Sequence, residues 1–173
     1  MRTKFKVWKA SILNLKVPGA RKLVRSKFYP LHRKGGVAHK YSVFIGIGGN
    51  IGDTRARFER FLAGLMRDRR FFVVETSPIL LNAAFGYEAQ ADFLNAVILA
   101  RTSLSAEQTL KIMQRDELRF GRTRPFKNAP RTLDLDILYY GRKVRASKRL
   151  RVPHEGANKR ISVILPLGMM KEI

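Results

Sequence analysis

The chain has 173 residues and a mass of 19.8 kDa, which is enough for one compact domain with an appendage but too little for two ordinary enzyme domains. Its 35 basic residues stand against 13 acidic ones, and the net charge of +22 favours polyanionic partners such as nucleotides, nucleic acid or an acidic membrane surface. The absence of cysteine excludes disulfides, thiolate zinc sites and cysteine nucleophiles, and because no apolar run could span a membrane or act as a secretory signal, we expect a soluble, cytoplasmic protein.

The first 40 residues differ in composition from the rest of the chain. They hold twelve of the 35 basic residues and no acidic one, since every Asp and Glu lies from Asp53 onward. We therefore predict a basic N-terminal extension over residues 1–40 and a domain over residues 41–173. Turn-forming pairs such as Pro18-Gly19 interrupt the extension, and only residues 5–15 have apolar side chains at near-helical spacing. Packing on its own domain, solvation, contact with an anionic surface or nucleic acid, and a transit peptide all remain open for it.

From residue 41 onward, strand and helix patterns alternate. The predicted strands are Tyr41–Ile47, Phe71–Glu75, Phe93–Arg101 and Leu133–Tyr140, with a possible return strand in Val144–Val152; the predicted helices are Asp53–Arg67 and Ser103–Phe120, and a long loop covers Leu81–Asp92. This order predicts an α+β fold, a ferredoxin-like βαββαβ antiparallel sheet in a single domain with the helices mainly on one face.

The sharpest local signal is Asp134-Leu135-Asp136 within the last predicted strand. Side chains alternate along a strand, so both carboxylates project from the same face. Mg²⁺ prefers one or two carboxylates together with phosphate oxygens, which makes the pair a candidate metal site. The alternative is a structural cluster of salt bridges with nearby arginines.

Cationic side chains surround this pair in the sequence. Arg122 and Arg124 precede it, Arg131 opens its segment, and His154 and Arg160 follow. Guanidinium groups bind phosphates bidentately and neutralise the charge of phosphoryl transfer. The chain has neither GxxxxGK[ST] nor GxGxxG, so a phosphate site here would not be one of the common glycine-loop types.

A set of further motifs is typical of one family. They are Asn50 in a glycine turn, Asp92-Phe-Leu-Asn-Ala, Gln114 with Glu117 and Phe120-Gly-Arg, Pro130-Arg-Thr-Leu-Asp-Leu-Asp-Ile-Leu, and Val152-Pro-His. From about Tyr41 to Leu167 the chain resembles the 6-hydroxymethyl-7,8-dihydropterin pyrophosphokinases of folate biosynthesis. The resemblance implies an enzyme that transfers diphosphate from ATP to the pterin hydroxymethyl group and releases AMP, with two Mg²⁺ ions as cofactors.

The resemblance also implies roles for individual residues. It implies that Asp134 and Asp136 bind the metal ions and act in catalysis with Arg122 and Arg131, that Gln114, Glu117, Arg124, His154 and Arg160 bind ATP, and that Asn95 and Phe93 bind the pterin. The family's second pterin-stacking aromatic is replaced by Ser162, and Phe85 from the predicted long loop is our candidate substitute. We expect a monomer whose partners are ATP and a dihydropterin.

A different class of function competes with this interpretation. An α+β sheet of high positive charge is also compatible with a nucleic-acid-binding module, on which Tyr41, Phe44 and Phe93 would stack bases. The sequence contains no RNP-type aromatic string, and two aspartates among phosphate contacts would repel a nucleic-acid backbone.

Overall fold

The computed structural model describes residues 17–36, 38–84, 86, 89–123, 126 and 128–172. The predicted amphipathic turns over residues 5–15 lie outside this part of the chain. In chain order the described elements are β1 (Ala20–Val24), β2 (Leu31–His32), β3 (Tyr41–Gly49), α1 (Thr54–Arg67), β4 (Phe71–Thr76), β5 (Ile79–Asn82), β6 (Phe93–Thr102), α2 (Ala106–Arg119), β7 (Asp134–Tyr140), β8 (Arg145–Ala146), β9 (Arg151–Val152) and α3 (Ile161–Leu167).

The described part of the chain forms one main sheet of seven antiparallel strands. The ten-residue strand β6 pairs with β3 along one side and, on the other, with β5 near its start and β4 near its end. Outside these lie β7 next to β3, β1 next to β5, and β2 next to β4. The predicted mixed α/β domain with an antiparallel sheet is confirmed, whereas the ferredoxin-like βαββαβ order is not, because β4 and β5 are separate strands and β1 and β2 are added.

Side-chain caps fix where the two long helices begin. The carboxylate of Asp53 accepts a hydrogen bond from the backbone N–H of Ala56 at 2.9 Å, so α1 begins immediately after it. Ser105 and Gln108 form a reciprocal capping box at the start of α2. Both predicted helices are confirmed.

The two faces of the sheet are covered differently. On the face that we call the helix-covered face, Val43, Ile45 and Ile47 of β3 are buried in a large apolar cluster with α1 and α2. The intervening positions of β3, among them Gly46 and Gly48, belong to the opposite face, which we call the cavity face. Only a smaller apolar cluster, to which α3 contributes, lies on the cavity face. The strand therefore closes a core on one side and leaves room on the other.

Part of the basic extension is integrated into this architecture. β1 and β2 belong to the sheet, and the ring of Tyr29 is 0% exposed, packed at 6.0 Å from the ring of Phe58 in α1. Burial and the neighbouring charge of Glu59 raise the pKa of the Tyr29 hydroxyl well above its usual value. The boundary at residue 41 stays a prediction about domain organisation, but residues before it supply strands and core.

Several short elements differ from the sequence expectation. The predicted loop over Leu81–Asp92 begins too early, since Leu81 and Asn82 belong to β5. Within Val144–Val152 the return strand is replaced by β8 and β9, two strands of two residues each that pair antiparallel. The helix α3 was not predicted, because it has seven residues with Pro166 inside it. No helix of the described ranges is long and apolar enough to cross a membrane.

Candidate active site

A cavity of about 340 Å³ opens on the cavity face, above the glycine-rich end of β3. A Cβ atom added to Gly48 would lie 2.7 Å from Oδ1 of Asn95, and one added to Gly46 would lie 3.3 Å from Cδ2 of Leu138. Any larger residue at these positions would press on the side chains that line the cavity. The glycines of β3 thus form its floor.

Two carboxylates stand beside this floor. In the register of β3 with β7, Asp134 lies opposite Gly48 and Asp136 lies opposite Gly46. Both aspartates line the cavity, whereas Leu135, between them, is buried in the core of the helix-covered face. The alternation of side chains along the strand predicts that the two carboxylates share a face, and the structure confirms this prediction.

The two aspartates have different surroundings. The carboxylate of Asp134 pairs with Arg122 Nη2 at 2.5 Å and with Arg131 Nη1 at 2.9 Å. Asp136 has no ion pair with any residue of the described ranges. Burial, and then the negative charge of Asp134, raise the pKa of the Asp136 carboxyl above its usual value. The charges of His154, Arg122 and Arg160 offset part of this rise. The salt-bridge alternative therefore describes Asp134, while Asp136 remains a partly desolvated carboxylate next to a like charge.

Asp134 and Asp136 are the side chains of this cavity that could hold a divalent metal ion. Two oxygen ligands from neighbouring carboxylates suit Mg²⁺, which usually completes its coordination with water and substrate phosphate. The described residues contain no cluster of three or more His, Cys, Asp or Glu side chains that could hold a metal ion alone. Asp134 and Asp136 fit an ion that arrives with a phosphate-bearing ligand better than a closed structural metal site.

The two arginines that hold Asp134 also have unused hydrogen-bonding capacity. The Nε atoms of Arg122 and Arg131 are buried without a hydrogen-bond partner in the described part of the chain. A buried N–H that lacks a partner is costly, and an anion with several oxygens would satisfy it. Arg122 is held from behind by Glu117, which also accepts a hydrogen bond from the backbone N–H of Leu135 at 2.7 Å.

His154 and Arg160 reach the cavity from the segment that follows β9. The backbone N–H of His154 donates to the Leu138 carbonyl at 2.8 Å, which fixes this segment to β7. Its ring Nδ1 accepts from the backbone N–H of Gly156 at 3.1 Å, so the neutral ring carries its proton on Nε2. Arg160 lies across Gly156, where an added Cβ would come within 2.8 Å of the arginine Cδ.

Across β3 from the aspartates, the β5–β6 end of the cavity carries two amides and an aromatic ring. Asn95 Nδ2 donates to Asn82 Oδ1 at 2.8 Å, and Asn82 Nδ2 donates to the Ala83 carbonyl at 2.8 Å. Phe93 also lines this end, with the guanidinium of Arg131 5.0 Å from its ring centroid. Asn82 was not predicted; an amide that ends a short apolar run, directly before a long loop, was the signal available in the sequence.

Most of the candidate residues that the structure describes meet in this cavity. Those that line it are Asn95, Phe93, Arg122, Arg131, Asp134, Asp136, His154 and Arg160. Gln114 is exposed on α2 and Glu117 is buried behind Arg122, and neither is among the lining residues. Arg124 and Phe85 fall outside the described residues. Ser162, at the position of the missing aromatic, does line the cavity, as does Phe126.

Asn50 connects the loops around the cavity. Its Oδ1 accepts from the backbone N–H of Arg131 at 2.9 Å, and its Nδ2 donates to Gln90 Oε1 at 2.9 Å and to the Ala91 carbonyl at 3.0 Å. The turn after β3 thereby holds both the segment before β6 and the segment before β7. The sequence motif pointed to Asn50 but did not indicate this connecting role.

The aromatic residues considered for base stacking do not form a shared surface. Tyr41 packs against Tyr140 on the helix-covered face, whereas Phe44 packs against Tyr139 on the cavity face. Phe93 is buried in the cavity wall. The arrangement does not favour the stacking of successive bases.

Comparison with known proteins gives a consistent result. The model of the family described as 7,8-dihydro-6-hydroxymethylpterin-pyrophosphokinase matches residues 44–172. A Campylobacter jejuni protein is 47% identical over 156 residues, covering 90% of this chain and 99% of its own length. Proteins of Helicobacter pylori (32% identical, 87% of this chain and 94% of its own) and Bacillus subtilis (37%, 72% and 75%) also match. All three are named 2-amino-4-hydroxy-6-hydroxymethyldihydropteridine pyrophosphokinase.

Proposed function

The chain belongs to the 7,8-dihydro-6-hydroxymethylpterin-pyrophosphokinase family of folate biosynthesis, and from this premise we propose that it transfers diphosphate from ATP to the hydroxymethyl group of its pterin substrate in a Mg²⁺-dependent reaction that releases AMP. The observation that carries the proposal is one cavity in which two carboxylates, Asp134 and Asp136, lie beside cationic side chains at the β7 end, with amides at the β5–β6 end. One end suits a metal-bound triphosphate and the other suits a flat, polar heterocycle.

Asp134 and Asp136 would hold two Mg²⁺ ions together with the ATP phosphates. When bound, the ions neutralise phosphate charge and polarise the oxygens around the phosphorus that is attacked. In the protein alone, Asp134 is neutralised by Arg122 and Arg131. Asp134 would hold the ions while these two guanidinium groups remain beside its carboxylate.

The arginines would position the triphosphate. Arg122 is locked between Glu117 and Asp134, so its guanidinium is held in place before ATP arrives. Arg131 is fixed through its backbone by Asn50 and through its side chain by Asp134. His154, which presents an Nε2–H, and Arg160 also line the cavity and would supply further donors. Donors fixed in this way stabilise charge that develops during phosphoryl transfer without having to reorganise.

The amide end of the cavity, which carries Asn82, Phe93 and Asn95 and which we call its pterin end, would orient the pterin. Because Asn82 holds Nδ2 of Asn95, the carboxamide of Asn95 has a set orientation toward the cavity floor. An amide presents a donor and an acceptor side by side, which matches the alternating ring nitrogens and exocyclic groups of a pterin. Phe93 contributes apolar surface, but Arg131 covers one face of its ring, so stacking on that face requires the guanidinium to shift.

A coupled assay of AMP release tests the proposal. The reaction contains ATP, Mg²⁺ and 6-hydroxymethyl-7,8-dihydropterin, and it compares the wild-type chain with Asp136→Ala. We expect AMP release that depends on both the pterin and Mg²⁺, and the substitution should lower the rate at least about a thousandfold. Equal rates in the two proteins would rule out the metal-binding role of Asp136, and no pterin-dependent AMP release from the wild type would rule out the proposed reaction.

A calorimetric titration separates the two ends of the cavity. A non-hydrolysable ATP analogue is titrated with and without Mg²⁺, and the pterin is then added. We expect analogue binding to weaken when Mg²⁺ is withheld, because the charges of Asp134 and Asp136 then repel the phosphates. Unchanged binding without Mg²⁺ would contradict the metal assignment.

A further inference from the structure

The strand β1 lies outside the part of the chain that the family model matches, yet it is next to the pterin end of the cavity. The match begins at residue 44, whereas β1 spans Ala20–Val24. β1 pairs with β5, and β5 separates it from β6. Without β1, β5 would be an edge strand with unpaired backbone groups. The extension therefore stabilises the strand that ends in Asn82.

A tight turn leads into β1 and holds the start of the segment between β5 and β6. The backbone N–H of Ala20 donates to the Val17 carbonyl at 3.1 Å, with Pro18 and Gly19 as the central residues and a φ of +82° at Gly19. This sequence and conformation fit a type II turn. The carbonyl of Gly19 then accepts a hydrogen bond from the backbone N–H of Ala83 at 2.8 Å.

The end of the same segment is also linked to β1. Arg21 Nε lies 3.4 Å from Asp92 Oδ2, and Asp92 immediately precedes the first residue of β6. In the pairing register, Ala20 lies opposite Asn82, at an irregularity of the β1 ladder. Three neighbouring residues of the extension thus contact Asn82, Ala83 and Asp92.

We infer that β1 and the turn before it are a positioning element for the pterin end of the cavity. The inference rests on the proposed function. The connection runs from Gly19 and Ala20 to Ala83 and Asn82, and from Asn82 through its 2.8 Å hydrogen bond to Asn95, the amide that faces the floor. Gly19 and Arg21 act through other residues and do not reach the cavity themselves.

Two matched glycines test this inference in the full-length chain. Gly19 and Gly35 both lie in the extension, at φ values of +82° and +84°, and neither has an atom within 4 Å of an added Cβ. Gly19→Val and Gly35→Val should therefore cause similar backbone strain and a similar loss of thermal stability. Only Gly19 carries the carbonyl that binds Ala83.

The readout is the KM for each substrate in the AMP-release assay, together with the Kd for the pterin alone. We expect Gly19→Val to raise the KM and the Kd for the pterin about tenfold and to change the KM for ATP less than about twofold. Gly35→Val should leave all three constants unchanged. Equal pterin constants in the two variants, or an equal rise in both KM values for Gly19→Val, would overturn the inference.

A charge exchange provides a second, milder test. Arg21 and Asp92 have side chains that are 58% and 38% exposed, so their pair contributes little to stability, and Arg21→Glu should leave the melting temperature almost unchanged. We expect it to raise the KM for the pterin about threefold, since it sets two like charges at the end of the segment. The matched control is Arg25→Glu, one residue beyond β1, which should have no effect.

The double variant Arg21→Glu with Asp92→Arg restores opposite charges and should return the pterin KM to the wild-type value. Failure of this rescue would count against the ion pair as a positioning contact. If the wild-type chain shows no pterin-dependent AMP release, the proposed function fails and the inference fails with it; if the wild type is active and the variants behave like it, the inference alone fails.

Discussion

The two faces of the main sheet differ in how tightly they are packed, although the same strands form both. On the helix-covered face, β3 contributes Val43, Ile45 and Ile47, which are buried against α1 and α2. On the cavity face the same strand contributes Gly46 and Gly48 and leaves an opening. A side chain removed from the first face leaves a void in the core, whereas a side chain added to the second fills a binding site. Neighbouring residues can therefore affect stability or function almost independently.

The largest expected effect is on the cavity face of β7. Asp136→Asn keeps the shape of the side chain and removes its charge, so kcat should fall at least about a thousandfold because metal and phosphate charge are no longer balanced. The melting temperature should stay equal or rise slightly, since the repulsion between Asp136 and Asp134 disappears. AMP-release kinetics and thermal melts measure the two quantities. A rate within tenfold of the wild type would contradict the distinction between the faces.

A substitution on the helix-covered face should have the opposite profile. Ile45 is 0% exposed, and Ile45→Ala should lower the free energy of unfolding by about 2–5 kcal/mol because it leaves a cavity in the core. Well below the melting temperature, kcat and both KM values should match the wild type. A denaturant titration measures the free energy of unfolding. Val144→Ala, at a side chain that is 86% exposed, is the control and should change stability by less than about 0.5 kcal/mol.

An added methyl group on the floor of the cavity should have a smaller, selective effect. In Gly48→Ala the new Cβ would lie 2.7 Å from Oδ1 of Asn95, so this amide must move. We expect the KM for the pterin to rise about tenfold while the KM for ATP changes less. Gly64→Ala, within α1 and with nothing within 4 Å of its Cβ, should instead stabilise the protein by about 0.5–1 kcal/mol without kinetic effect. Identical kinetics in the two variants would count against a packed floor.

The smallest expected effect concerns a carboxylate at the end of α1. Hydrogen bonding to Arg70 lowers the pKa of Asp68 in the folded protein, so the pair stabilises the fold above the unfolded-state pKa, at about pH 4, and this contribution disappears as the pH falls through the lower folded-state pKa. Because Arg70 is half exposed, the contribution should be below about 1 kcal/mol. The difference in unfolding free energy between the wild type and Asp68→Asn should shrink as the pH falls below 4. A difference that stays constant with pH would contradict the assignment.

The features that the sequence predicts well depend on local patterns. Alternation along one strand predicts that Asp134 and Asp136 share a face, and apolar spacing predicts the two long helices, of which the second begins at Ala106 rather than at Ser103. These signals require no knowledge of distant residues.

The features that were missed depend on partners far away in the sequence. β1 carries mostly charged and small residues and becomes a strand only because β5, some 60 residues later, offers an edge. The hydrogen bond between Asn82 and Asn95 likewise needs β5 beside β6. The role of Gln114 stays a prediction: the motif implies that it binds ATP, and the structure places it on the exposed side of α2, outside the cavity lining.

The burial of Tyr29 bears on how small a working version of this protein can be made. Trimming recombinant chains to residue 41 would delete a ring that fills space over Phe58 and would uncover the outer rims of β4 and β5. Such shortened chains should aggregate, because strands of different molecules can pair along the exposed edges. Affinity tags or fused domains are therefore better joined before residue 17 than at residue 41.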